Sequence, residues 1–115
     1  MNLFYYLSSC DTCKRIMKSL NLTDDITLID IKKSPLTSSQ LDDLYQLSGS
    51  YEALLNKRAQ KLKDMDKSTL SEHKIQSLLL EHYTFLKRPV LVYKEELFIG
   101  NAKATVAAAK AALDG

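Results

Sequence analysis

Two cysteines stand three positions apart near the start of this 115-residue chain, in Ser9-Cys10-Asp11-Thr12-Cys13-Lys14-Arg15, and there are no others. A C-x-x-C pair does redox chemistry by exchange: one thiolate attacks an oxidised partner, and the second thiol displaces what the first has captured. An apolar run, Asn2 to Tyr6, precedes the pair, and a helical pattern, Lys14 to Leu20, follows it. Cys10 is thus expected at or just before a helix start. The free N–H groups of a first helical turn carry partial positive charge there, which favours thiolate over thiol. Lys14 and Arg15 add formal charge of the same sign. Cys10 is the expected nucleophile. Cys13, one turn further and on the same side, is the expected resolving thiol.

Two other chemistries compete for the pair. Buried cysteines can act as inert small hydrophobes, and two thiols can be half of a zinc site. Zinc would need two more ligands, and only His73 and His82 are available, both on helical patterns far along the chain. No metal is expected.

The elements that must hold the dithiol follow from patterning. Leu3 to Tyr6 is apolar throughout, as a strand buried on both faces would be. Leu7-Ser8-Ser9 is the turn into the first helix, which Ile16, Met17 and Leu20 give an apolar stripe and Asn21 stops. Ile26 to Ile31 is a second, β-branched strand, and Lys32-Lys33-Ser34-Pro35 ends it. Strand, helix and strand in this order form a right-handed parallel unit.

Residues 36 to 87 read as helical throughout. Thr37-Ser38-Ser39-Gln40 and Thr69-Leu70-Ser71-Glu72 both have capping-box form. Leu41, Leu44 and Leu47 mark one face before Gly49 stops that helix; Tyr51, Leu54 and Leu55 suggest a short piece ending near Asn56. Lys57 to Lys67 reads as an exposed connection, and Ile75, Leu78 and Leu79 carry a helix to about Tyr83. A third strand is expected over Arg88 to Tyr93, with Pro89 near its start, then a Lys94-Glu95 turn and a fourth strand over Glu96 to Ile99. Asn101 is the expected cap of a last, alanine-rich helix reaching Leu113.

Bulk properties set the class. The length suits one domain over residues 1–115, and a formal charge of +2 argues for neither nucleic acid nor membrane as a partner. No signal peptide or membrane span is read, so a cytoplasmic, monomeric protein is expected. The order β-α-β, helices, β-β-α predicts an α/β fold of thioredoxin/glutaredoxin type: a mixed four-stranded sheet with an enlarged helical insertion at about 36–87, between strands 2 and 3. In that fold the dithiol after strand one and the proline opening strand three carry the chemistry.

Three segments together give a closer likeness: Cys10-Asp11-Thr12-Cys13-Lys14, Glu52-Ala53-Leu54-Leu55-Asn56-Lys57-Arg58, and Leu86-Lys87-Arg88-Pro89-Val90-Leu91. The chain resembles the arsenate reductase-like family, which holds glutaredoxin-related arsenate reductases, uncharacterised relatives and Spx-type redox regulators. The resemblance implies Cys10 as the nucleophile, Arg88 as an oxyanion ligand and Arg58 as a further one; Lys14, by its charge beside the pair, and Pro89, which opens strand three, are the other expected substrate-binding positions. Where the reductases carry another arginine after the hairpin, Gly100 to Thr105 offers only Lys103. It implies no bound cofactor, with glutathione or a thioredoxin/glutaredoxin as reductant and a small thiol or oxyanion as substrate. Each position also has a plainer reading: Arg88 in a structural ion pair, Arg58 and Lys14 simply solvated. The expected function is a thiol–disulfide oxidoreductase, reducing arsenate or a thiol adduct. The alternative is an Spx-type regulator that binds the RNA polymerase α subunit and uses the cysteine pair as a switch.

Overall fold

The computed structural model describes residues 2–115, with Lys67 described by its backbone alone. Strands β1 (Leu3–Tyr6), β2 (Thr27–Asp30), β3 (Val90–Tyr93) and β4 (Glu96–Ile99) form one mixed sheet in the order β2-β1-β3-β4. β1 runs parallel to β2, with Tyr6 opposite Asp30, and antiparallel to β3; β3 and β4 are a hairpin. The apolar run at the N-terminus therefore lies between two neighbours, and Phe4 and Tyr5, on opposite faces, are both fully buried. β2 is shorter than the sequence pattern suggests and lies at an edge. Thr27 and Leu28 are exposed there, Leu28 at 50%, so strand-forming composition does not mean burial at this strand.

The chain divides into two compact units. One runs from the N-terminus to Ser34 and resumes at Arg88–Gly115; the other is Pro35–Lys87, the helical insertion between β2 and β3. In the first unit, helices α1 (Asp11–Leu20) and α4 (Lys103–Asp114) pack on the Phe4 face of the sheet. Phe4, Ile16, Leu20, Ile26, Leu91 and Ala109 form that core. Complete burial of a side chain such as Phe4 contributes roughly 1.5–3 kcal/mol. Asn21 ends α1 in the left-handed conformation, φ 51°, with its N–H on the Lys18 carbonyl. α4 begins after Ala102, which supplies no side-chain cap. The expected cap, Asn101, stands one residue too early for its amide to reach the first turn.

In the insertion, α2 (Ser38–Ser48) starts with the expected capping box: Thr37 Oγ1 accepts from Gln40 N–H at 3.1 Å, and Gln40 Oε1 accepts from Thr37 N–H at 3.0 Å. The second capping box does not form. Ser71 caps α3 (Glu72–Glu81) by accepting from Lys74 N–H, and Thr69 belongs to a preceding 3-10 turn, Lys67–Thr69. Glu72 turns away instead and accepts the N–H groups of Tyr51 and Glu52, at 2.7 and 3.0 Å, before the 3-10 turn Glu52–Leu54. A carboxylate there satisfies two amides that no helical carbonyl reaches. Nor is the segment helical throughout. Leu55 and Leu86 form an antiparallel bridge, flanked by Asn56 N–H on the Phe85 carbonyl and Lys87 N–H on the Leu54 carbonyl, each 2.8 Å. Extended backbone here lets Leu54, Leu55, Phe85 and Leu86 all be buried. The 3-10 turns Gln60–Leu62 and Tyr83–Phe85 complete the unit.

The β3–β4 turn places Lys94 and Glu95 at φ 49° and 66°. This is the backbone that two-residue hairpins require, built from residues that pay a left-handed penalty. Glu95→Gly should raise stability by about 0.5–1 kcal/mol in urea unfolding; a loss would contradict the strain. Ser71→Ala should cost about 1 kcal/mol, whereas Asn101→Ala should change stability little, since only the first removes a cap.

Candidate redox site

The turn between β1 and α1 is closed by Cys10 N–H on the Leu7 carbonyl at 2.9 Å. Cys10 then occupies the N-cap of α1 in extended conformation, φ −101° and ψ 110°. Its carbonyl accepts Lys14 N–H at 3.2 Å, and its Sγ lies 3.5 Å from the amide nitrogen of Cys13, which donates to it. A cap position is where serine or aspartate oxygen usually sits; here a sulfur receives the same amide. Both cysteines are free thiols, Cys10 half-buried and Cys13 buried.

The two thiols are driven apart. Burial pushes Cys10 up, but the Cys13 amide and thiol, the Arg88 charge and the Thr12 amide together bring it below its ordinary value. Burial pushes Cys13 up to about 11; the Leu7 amide and the Arg88 charge oppose this, and the Cys10 sulfur adds to it. At neutral pH Cys10 is the readier thiolate and Cys13 holds its proton. The two sulfurs share a hydrogen bond, so their ionisations are linked.

Arg88 is the cation that acts on both sulfurs. It is half-buried and precedes Pro89 across a cis peptide bond. Pro89 is buried just before β3, whose first residue is Val90, and its carbonyl accepts Gly100 N–H at 2.8 Å. Lys14 lies on the exposed surface of α1. Arg58 lies exposed in the Pro35–Lys87 unit, its N–H on the Asn56 side-chain oxygen at 3.2 Å. Its neighbour Lys57 pairs with Glu52 at 3.1 Å. The structure thus brings Cys10, Cys13 and Arg88 together within the first unit. Among the described residues no group of three metal-ligating side chains occurs, and no helix is long and apolar enough to cross a membrane. A separate hollow of about 350 Å³ in the insertion, walled by Leu55, Leu62, Leu70 and Ile75, contains no thiol.

Sequence patterning passed over two groups at this site. One is the Leu7 amide, which faces the Cys13 sulfur and is invisible in residue types. The other is Asp30, whose carboxylate accepts Ser8 N–H at 3.1 Å. Its signal was a lone acid closing a β-branched run at the carboxyl end of a parallel strand.

Two outcomes test this electrostatic picture. Arg88→Gln should raise the midpoint of the Cys10 pH–alkylation profile, since a cation that stabilises the thiolate is lost; an unchanged midpoint would contradict it. Cys13 binds its proton more tightly folded than unfolded, where the value is near 9.0. Its contribution to stability is therefore fully present below about pH 9 and lost as pH rises through about 11. Under reducing conditions, urea unfolding of Cys13→Ala should show a shallower decline than wild type across that window.

The fold agrees with what the chain is similar to. The profile of the ArsC family matches residues 5–109. A protein from Streptococcus mutans described as a possible arsenate reductase is 30% identical, with a TM-score of 0.64 over 90% of this chain and 92% of that one. An arsenate reductase (ArsC) related protein from Brucella melitensis is 25% identical, with a TM-score of 0.71 over 93% and 92%. An ArsC family related protein from Bacteroides fragilis shares the fold at 22% identity, TM-score 0.75, over 94% and 97%. A search of curated proteins returns no match. With the family profile spanning most of the sheet, α1, the insertion and the first half of α4, this chain belongs to the ArsC family, the arsenate reductase-like thiol-redox proteins.

Proposed function

We propose that the chain is a thiol–disulfide oxidoreductase in which Cys10 attacks and Cys13 resolves. The observation that carries this reading is the split between the two thiols: Cys10 lowered at the N-cap of α1, Cys13 pushed up to about 11 behind it. Exchange needs that asymmetry. A low thiol supplies the attacking thiolate, and a protonated neighbour waits until the mixed disulfide has formed.

With a mixed disulfide as substrate, Cys10 thiolate attacks one sulfur; the other leaves as a thiolate and takes up a proton. Cys13 then gives up its proton and attacks the Cys10 sulfur. The second thiol departs, and a Cys10–Cys13 disulfide forms. Two electrons from glutathione or a thioredoxin/glutaredoxin partner restore the dithiol. With arsenate, the Cys10 sulfur adds to arsenic and water leaves; two electrons from thiols then take As(V) to As(III). Arg88 beside Cys10 supports an anionic substrate in either case, since a guanidinium offers a two-pronged match to oxyanions. Pro89, next to it, would form an apolar wall for the captured sulfur.

The assay is reduction of arsenate and of a glutathione mixed disulfide by wild type, Cys10→Ser and Cys13→Ser, with glutathione or thioredoxin as electron source. Cys10→Ser should fall to the background rate. Cys13→Ser should accumulate a mixed disulfide at Cys10, seen by mass spectrometry. Equal turnover by wild type and Cys10→Ser would overturn the proposal.

A further inference from the structure

We propose that Asp30 is a positioning residue for the Cys10 centre, and that it acts as a hydrogen-bond acceptor and not as a charge. This rests on the oxidoreductase reading. Asp30 ends β2, beside Tyr6 at the end of β1, so the two parallel strands finish side by side. Each strand exit leads somewhere different: β1 into the cysteine turn, β2 into Ile31 and Lys32. One carboxylate oxygen ties the two. Asp30 Oδ1 accepts Ser8 N–H and Lys32 N–H, each at 3.1 Å. The Asp30 main-chain carbonyl also takes the N–H groups of Lys33 and Ser34, at 3.1 and 2.8 Å, which fixes the residue itself. Ile31 N–H on the Tyr6 carbonyl, at 2.9 Å, closes the gap between the strand ends.

Ser8 is the middle of the turn that presents the nucleophile. On one side of it, the Leu7 carbonyl holds Cys10 N–H, and the Leu7 amide faces the Cys13 sulfur. On the other, Cys10 must sit so that its sulfur receives the Cys13 amide. The turn has one backbone bond of its own, Cys10 N–H on the Leu7 carbonyl, so a good acceptor on its central amide narrows its conformation further. Asp30 is negative and faces Ser8, Lys32 and Lys33; by charge alone it would disfavour a nearby thiolate. The two roles therefore have opposite signs, and an experiment can separate them.

Asp30→Ala removes acceptor and charge; Asp30→Asn keeps an acceptor oxygen for the two amides and removes the charge, exchanging the second oxygen for an NH2 group. The measurement is the pH profile of Cys10 alkylation, with thermal unfolding recorded alongside. The proposal expects Asp30→Ala to shift the midpoint upward and slow alkylation at neutral pH by about 3- to 10-fold, as half to one pH unit requires. Asp30→Asn should rescue it to within about 2-fold of wild type. A wild-type profile in Asp30→Ala, an Asn variant as slow as Ala, or a faster reaction in both would each overturn the proposal. Should Asp30→Ala fail to fold, exchange of the Ser8 amide decides: slow in wild type and Asp30→Asn supports it, fast in wild type overturns it. A wild-type Cys10 with an ordinary thiol midpoint would instead overturn the oxidoreductase reading, and Ser8 exchange would still judge Asp30.

Discussion

A sulfur at a helix N-cap is the interaction on which this structure depends. The Cys10 Sγ accepts the Cys13 amide at 3.5 Å, a long but reasonable distance for so large an acceptor. The interaction does three things at once. It satisfies an amide that α1 cannot satisfy internally, it places negative charge at the positive end of the helix, and it orients the sulfur beside its partner thiol. A serine there would cap as well but could not exchange disulfides. The C-x-x-C spacing is therefore a capping motif and a redox motif in one. The residue that caps is the residue that reacts, and the amide donor belongs to the residue that resolves.

The rest of the first unit keeps that cap in place. α1 is pressed on the sheet by Ile16 and Leu20 against Phe4 and Leu91, with α4 alongside. β1, the strand that delivers Cys10, is fixed on both edges, by β2 and by β3. β3 in turn brings Arg88 and Pro89 to the same end of the sheet, and Gly100, at φ 92°, returns its N–H to the Pro89 carbonyl. The charge on Arg88 reaches both sulfurs, yet the outcome differs: Cys13 is sealed away from water and raised further by the Cys10 sulfur, whereas Cys10 is less buried and receives the Cys13 and Thr12 amides. One cation and one helix end thus produce two thiols of unlike acidity.

Much of this was legible in residue order. The apolar β1, the cysteine pair, the Ile16–Leu20 stripe and the Thr37–Gln40 box each depend on neighbours a few positions apart, and such short-range patterns survive in the sequence. What failed was also local in appearance. Thr69 matched the capping-box pattern as well as Thr37 did, but Thr69 was drawn into a 3-10 turn and Ser71 took the cap. Asn101 fitted a cap in type and missed by one residue. The Leu55–Leu86 bridge joins residues 31 positions apart, so no window of sequence contains it. The same holds for Asp30 and Ser8, which meet only because β1 and β2 pair in parallel. Arg88 stands out in sequence beside Pro89 in a family-like segment, but its influence on both thiols depends on the antiparallel pairing of β3 with β1.

The chemistry of the site rests on the unequal acidity of the two thiols. Ultraviolet titration of thiolate absorbance, on reduced wild type and on Cys10→Ser and Cys13→Ser, measures that inequality directly. It should give two separated steps in wild type: one below the ordinary thiol range that disappears in Cys10→Ser, and one near 11 that disappears in Cys13→Ser. Two coincident steps in the ordinary range, or a low step that survives in Cys10→Ser, would contradict it.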